Sequence, residues 1–130
     1  MMTDPRLAED FVKRTGVDAL AVSVGNAHGT YRLPPKLNFD LIEEIRDSVD
    51  VPLVLHGGSG LTDGDFSRAI DCGIAKINIF TDINTAQSEA CGEALAAGKK
   101  SVMDFQAFAI PAIKRATEEK MRLFRSEGRC

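Results

Sequence analysis

The stretch Pro52-Leu53-Val54-Leu55-His56-Gly57-Gly58-Ser59-Gly60 decides the fold. Pro52 to Leu55 reads as a short buried strand, an apolar run bounded by proline and glycine. Gly57 to Gly60 is a turn. Thr62 and Asp65 then form a capping box, with aspartate in the usual glutamate position, and predict a helix over Asp63 to Cys72 that stops at Gly73. Strand, glycine turn and capped helix, in that order, are the unit of a parallel α/β protein. His56 closes the strand and so falls at its carboxyl end, on the rim where such folds place their chemistry.

The same unit recurs on both sides. Upstream, Ala19 to Val24 predicts a strand, Gly25 to Asn38 a long loop carrying His28-Gly29 and Pro34-Pro35, and Phe39 to Val49 a helix with Leu41, Ile42, Ile45 and Val49 on one face. Ahead of these, Asp4-Pro5 caps and opens a helix with Leu7, Ala8, Phe11 and Val12 as its apolar stripe, ended by Gly16. Downstream, Ala75 to Phe80 predicts a third strand. Thr81 or Asp82 caps a helix running to about Ala97, and Asp104 to Arg125 is a final helix broken near Pro111. The fold class is therefore α/β with a parallel sheet. Three strands leave two unpaired edges, so the sheet reads as part of a larger one. At 130 residues the chain is short of the roughly 250 of a complete (β/α)8 barrel.

The formal net charge of −3 provides no basic footprint, so nucleic acid is not an expected partner. No apolar run approaches the roughly 20 residues of a membrane span, so no membrane is expected either. Met1-Met2-Thr3-Asp4-Pro5 lacks the basic and apolar regions of a signal peptide. Cys72, Cys91 and Cys130 have no metal-type spacing and read as reduced thiols, the first two at core or helix positions. The expected location is cytoplasmic.

His28 and His56 are the two histidines of the chain, both directly before glycine and both after a predicted strand. Two neutral imidazoles on one rim can share a zinc ion, which needs a third protein ligand as well. Glycines in the strand-to-helix loops let backbone N–H groups approach an anion, and the helix start that follows favours negative charge. Ser59 and Thr81 add hydroxyl donors. Read from the residues alone, each feature also has a structural meaning. A histidine at a strand end can be a packing residue, the glycine run a tight turn, and Asn78 a partner for neighbouring backbone. Thr81 and Asp82 can be plain helix caps, and Arg32 and Lys36 solvated charges.

Three ordered motifs carry a resemblance. Asp18 to Tyr31, with Gly25-Asn26-Ala27-His28-Gly29 inside it, then Pro52 to Gly60, then Lys76-Ile77-Asn78-Ile79-Phe80-Thr81-Asp82, resemble the class II zinc-dependent ketose-bisphosphate aldolases, which act on fructose and tagatose 1,6-bisphosphate. The likeness covers nearly the whole chain, from Thr3-Asp4-Pro5 to Ser126-Glu127-Gly128-Arg129. It implies a single partial TIM-barrel domain over residues 1–130, a (β/α)8 barrel's strands six, seven and eight with a carboxyl-terminal helical extension.

The resemblance also implies His28 and His56 as zinc ligands and Asn78 as the catalytic residue that helps hold the enediolate. It implies Gly29, Gly57, Gly58, Ser59, Asn78, Ile79, Phe80 and Thr81 as the site for dihydroxyacetone phosphate. Asp82 falls near the phosphate or a monovalent cation, and Arg32 near a place where lysine is common. The family's third zinc histidine and its proton-transferring aspartate belong to the first half of the barrel, which this sequence lacks. The expectation is an aldehyde-lyase of carbohydrate metabolism and glycolysis that is inactive as an isolated chain. The alternatives are a non-catalytic half-barrel that complements an amino-terminal half or pairs with itself as a homo-oligomer, and a metal-free phosphate-binding domain.

Overall fold

The computed structural model describes residues 2–26, 36–58 and 60–129. Among them run α1 (Pro5–Thr15), β1 (Leu20–Val22), α2 (Phe39–Ser48), β2 (Leu53–Leu55), α3 (Asp63–Asp71), β3 (Ile74–Ile77), α4 (Thr81–Ala96) and α5 (Val102–Leu123). The strands form one parallel sheet in the order β1-β2-β3, so the α/β expectation holds. The chain divides into two compact units, residues 1–79 and 80–130.

In the first unit, local chemistry sets the element ends. Asp4 accepts hydrogen bonds from the Arg6 and Leu7 N–H groups, Pro5 opens α1, and Gly16 closes it in the left-handed conformation. Asn38 caps α2 through the Leu41 N–H at 3.1 Å. Thr62 and Asp65 form the expected capping box on α3, each bonding the other's backbone N–H.

Leu20, Val22, Leu53, Leu55 and Ile74 turn one face of the sheet into a core shared with Ala8, Ile42, Ile45 and Ala69 from the helices. β2, the central strand, is buried along its whole length. Ala21, between the two buried residues of β1, is exposed on the opposite face. Cys72 is buried and free, and burial pushes its thiol pKa up.

The second unit is a pair of packed helices. Ala90 and Ala94 of α4 and Ala109 and Ala112 of α5 are its buried residues. Ser101 caps α5 through the Asp104 N–H.

Four boundaries differ from the sequence reading. β1 keeps only the central part of Ala19 to Val24. β3 starts at Ile74 and ends at Ile77, leaving Asn78, Ile79 and Phe80 beyond the strand. Neither Thr81 nor Asp82 caps α4; Phe80 holds that position without a side-chain hydrogen bond, and Thr81 is already helical. α5 runs unbroken through Pro111 and starts at Val102 rather than Asp104. Proline removes one helical hydrogen bond, but the long flanking segments and the buried alanine contacts hold both sides in a single helix.

Candidate functional site

The site is built by the phase of two strands. Leu53 pairs with Ile74, but Val54 pairs with Lys76 and Leu55 with Ile77. The register slips by one residue at that point, and β3 accommodates Ala75 as an extra residue, as a β-bulge does. Leu53, Leu55 and Ile74 belong to the core, and Ile77 packs against it. Val54 and Lys76 therefore point to the other face, away from that core. Continuing the same alternation, His56 and Asn78 follow on that face at the strand ends. The Asn78 N–H donates to the Leu55 carbonyl at 3.0 Å, which extends the ladder past β3.

His56 is half-buried and held from several sides. The Asn78 Nδ2 lies 3.0 Å from its Nε2 and 3.5 Å from its Nδ1. Lys76 Nζ in turn donates to Asn78 Oδ1 at 2.6 Å. Asn26 Nδ2 donates to the His56 carbonyl at 2.5 Å, while Asn26 Oδ1 accepts from the Val24 N–H at 2.9 Å. Asn26 thus ties the end of the first strand segment to the end of the second. The Asn38 N–H bonds the Val24 carbonyl at 2.8 Å, so Val24 is held by both neighbours.

The glycine turn is shaped for close approach. Gly57 has φ +66°, a conformation that side chains rarely adopt. Gly58 is buried, and a β-carbon there would lie 2.9 Å from the Phe66 ring and 3.0 Å from Ile79 Cδ1. The backbone at this turn consequently lies directly against Phe66 and Ile79.

Of the sequence-predicted residues, the structure brings together His56, Gly57, Gly58, Asn78 and Ile79 in the first unit. His28, Gly29, Arg32 and Ser59 lie outside the described residues. Phe80 is 75% exposed and Thr81 opens α4, both in the second unit. Asp82 forms an ion pair with Lys120 at 2.7 Å. His56 suits the role of one imidazole ligand on the rim. Among the described residues, no group of three or more His, Cys, Asp or Glu could hold a metal ion.

Two contributors escaped the sequence reading: Asn26 and Lys76. Lys76 had a legible signal. Ile74 and Ile77 cannot share a face in a regular strand, so an apolar pair at that spacing marks a bulge. Asn26 had none, because its partner is a backbone carbonyl distant in sequence.

These features define a parallel α/β protein with a polar site at the carboxyl ends of its strands. The chain belongs to the class II fructose-bisphosphate aldolase family, whose model matches residues 1–129. It is 44% identical over 132 aligned positions to YdjI of Escherichia coli K12, covering 98% of this chain and 45% of YdjI. The crystal structure of YdjI, described there as an aldolase, superposes with a TM-score of 0.91 over 98% of this chain and 47% of that one. A provisionally assigned fructose-1,6-bisphosphate aldolase from Coccidioides immitis is 30% identical, with a TM-score of 0.90 over 99% of this chain and 45% of its own. The chain thus spans about half the length of the relatives it matches.

Proposed function

We propose that residues 1–130 form one partial (β/α)8 barrel domain, the carboxyl-terminal half of a class II ketose-bisphosphate aldolase. The reaction is reversible cleavage of fructose or tagatose 1,6-bisphosphate to dihydroxyacetone phosphate and glyceraldehyde 3-phosphate, in the cytoplasm. The observation that carries this reading is the pairing of His56 and Asn78 on the rim, on the sheet face turned away from the core. In a closed barrel that face is the interior.

His28 and His56 would hold zinc, which when bound supplies a Lewis acid that polarises a ketone. The Asn78 carboxamide donates to the oxygen that gains charge as the carbon–carbon bond breaks, so its effect falls mainly on the transition state. Gly57 and Gly58 offer backbone N–H groups to a phosphate. By family likeness Gly29, Ser59, Ile79, Phe80 and Thr81 complete the substrate-binding set, and Asp82 lies near the phosphate or a monovalent cation. No residue of this sequence is assigned the proton-transfer role, so the 130-residue polypeptide alone should not turn over.

The test is zinc analysis and a cleavage assay with both bisphosphates. The isolated chain should show no cleavage above background, and His56→Ala should lower zinc uptake at least tenfold. Turnover by the isolated chain overturns the inactivity, and zinc uptake indifferent to His28 and His56 overturns the metal assignment.

A second reading, a half-barrel that complements a separate amino-terminal half, is favoured by the sheet edges. Among the described residues β1 and β3 each pair on one side only. Parallel strands are ordinarily covered, so open edges suit docking on further strands. Co-expression with an amino-terminal half of a family aldolase should yield a stable complex with cleavage activity; a chain that stays monomeric beside it counts against the reading.

A further inference from the structure

Lys76 and Asn78 fix what the rim can offer a ligand. An ammonium only donates, so the carboxamide atom 2.6 Å from Lys76 Nζ must be the oxygen. The other end of that amide is then an NH2 group, also only a donor, and it faces the ring nitrogens of His56 at 3.0 and 3.5 Å. Turning the amide over would set two donors against each other at Lys76. It would also aim a carbonyl oxygen at His56.

The geometry points to Lys76 as a positioning residue: by anchoring the Asn78 oxygen, it commits Asn78 to act as a hydrogen-bond donor at the rim. A rim committed to donation fits ligands through acceptor oxygens, those of a carbonyl, an enolate or a phosphate, and discriminates against ligands that need an acceptor there. Only the identity of that ligand rests on the aldolase reading; the orientation of the amide does not. Lys76 is exposed and touches Asn78 rather than the core, so its replacement should spare the fold. The register slip at Ala75 puts Lys76 and Asn78 on the face that His56 occupies, two residues apart and in reach of each other.

The test uses the chain as it stands, labelled with 15N and kept free of metal with a chelator. Wild type should show one set of Asn78 side-chain amide signals. Lys76→Met should shift or split those amide signals, and Lys76→Arg, which keeps donors, should restore the wild-type pattern. Wild-type spectra from Lys76→Met overturn the proposal.

In the active assembly with an amino-terminal half, Lys76→Met should lower kcat roughly ten- to a hundredfold with a smaller change in KM. Equal kcat in Lys76→Met and wild type overturns the role in turnover. If wild type shows no cleavage in any assembly, the aldolase reading fails while the spectroscopic result still decides the placement of Asn78.

Discussion

Residues 2–79 and residues 80–129 are made from opposite materials. In the first, large side chains fill the core: Ile42, Ile45, Leu55 and Phe66 have no exposed surface. In the second, alanines are inside, while Leu95, Val102, Met103 and Ile110 are each more than 60% exposed. Alanine lets two helix axes approach closely, but each alanine removes little apolar area from water. The first region can therefore hold itself together by burial, and the polar rim of His56 and Asn78 rests on that stiff support. The second is held by fit rather than by area.

The largest expected effect comes from opening the first core. Leu55→Ala removes a fully buried side chain from the central strand and should cost about 3–5 kcal/mol in denaturant unfolding. A cost near 1 kcal/mol would mean that the two regions differ less than their burial suggests. Next is overfilling the helix pair. Ala94 has no exposed surface, so Ala94→Leu should cost about 1–3 kcal/mol by forcing the helices apart. A neutral result would show a seam loose enough to accept a larger side chain.

The smallest effect sits at the start of α5. The Ser101 hydroxyl donates to the Asp104 carboxylate at 2.8 Å and holds its pKa below the ordinary carboxylate value. A depressed folded-state pKa stabilises above the unfolded value, and that contribution is lost as pH falls through the lowered value. Ser101→Ala should flatten this acid-side dependence in a stability-against-pH series, and an unchanged slope would remove the cap from the account.

Much of the first region was legible in the sequence because its signals are local. Asp4-Pro5, Gly16 and the Thr62–Asp65 box each act within one helical turn, so reading them needs no knowledge of the fold. The rim position of His56 was legible too, from an apolar run ending in histidine and glycine. What failed to show was decided by pairing. Asn78 read as a strand residue because its alternation continues past the last ladder bond of β3. Lys76 was given no role of its own, because the bulge hinted at by Ile74 and Ile77 turns it toward Asn78 only once β3 pairs with β2. In the second region Pro111 carried too much weight, since its local cost is set against long helical flanks and an alanine seam that no short window contains.

The slip at Ala75 makes the spacing between Ile74 and Asn78 a matter of counting as much as of identity. Substituting any one of those residues alters one side chain. Deleting Ala75 would leave Ile74, Lys76, Ile77 and Asn78 alternating as a regular strand against β2, with Lys76 and Asn78 still on the rim face; deleting Ile77 instead would turn Asn78 toward the greasy side of the sheet. The gene can therefore tolerate the loss of the codon for Ala75 far better than the loss of the codon for Ile77, and a one-codon deletion at Ile77 should take Asn78 away from His56 while leaving both residues in the sequence.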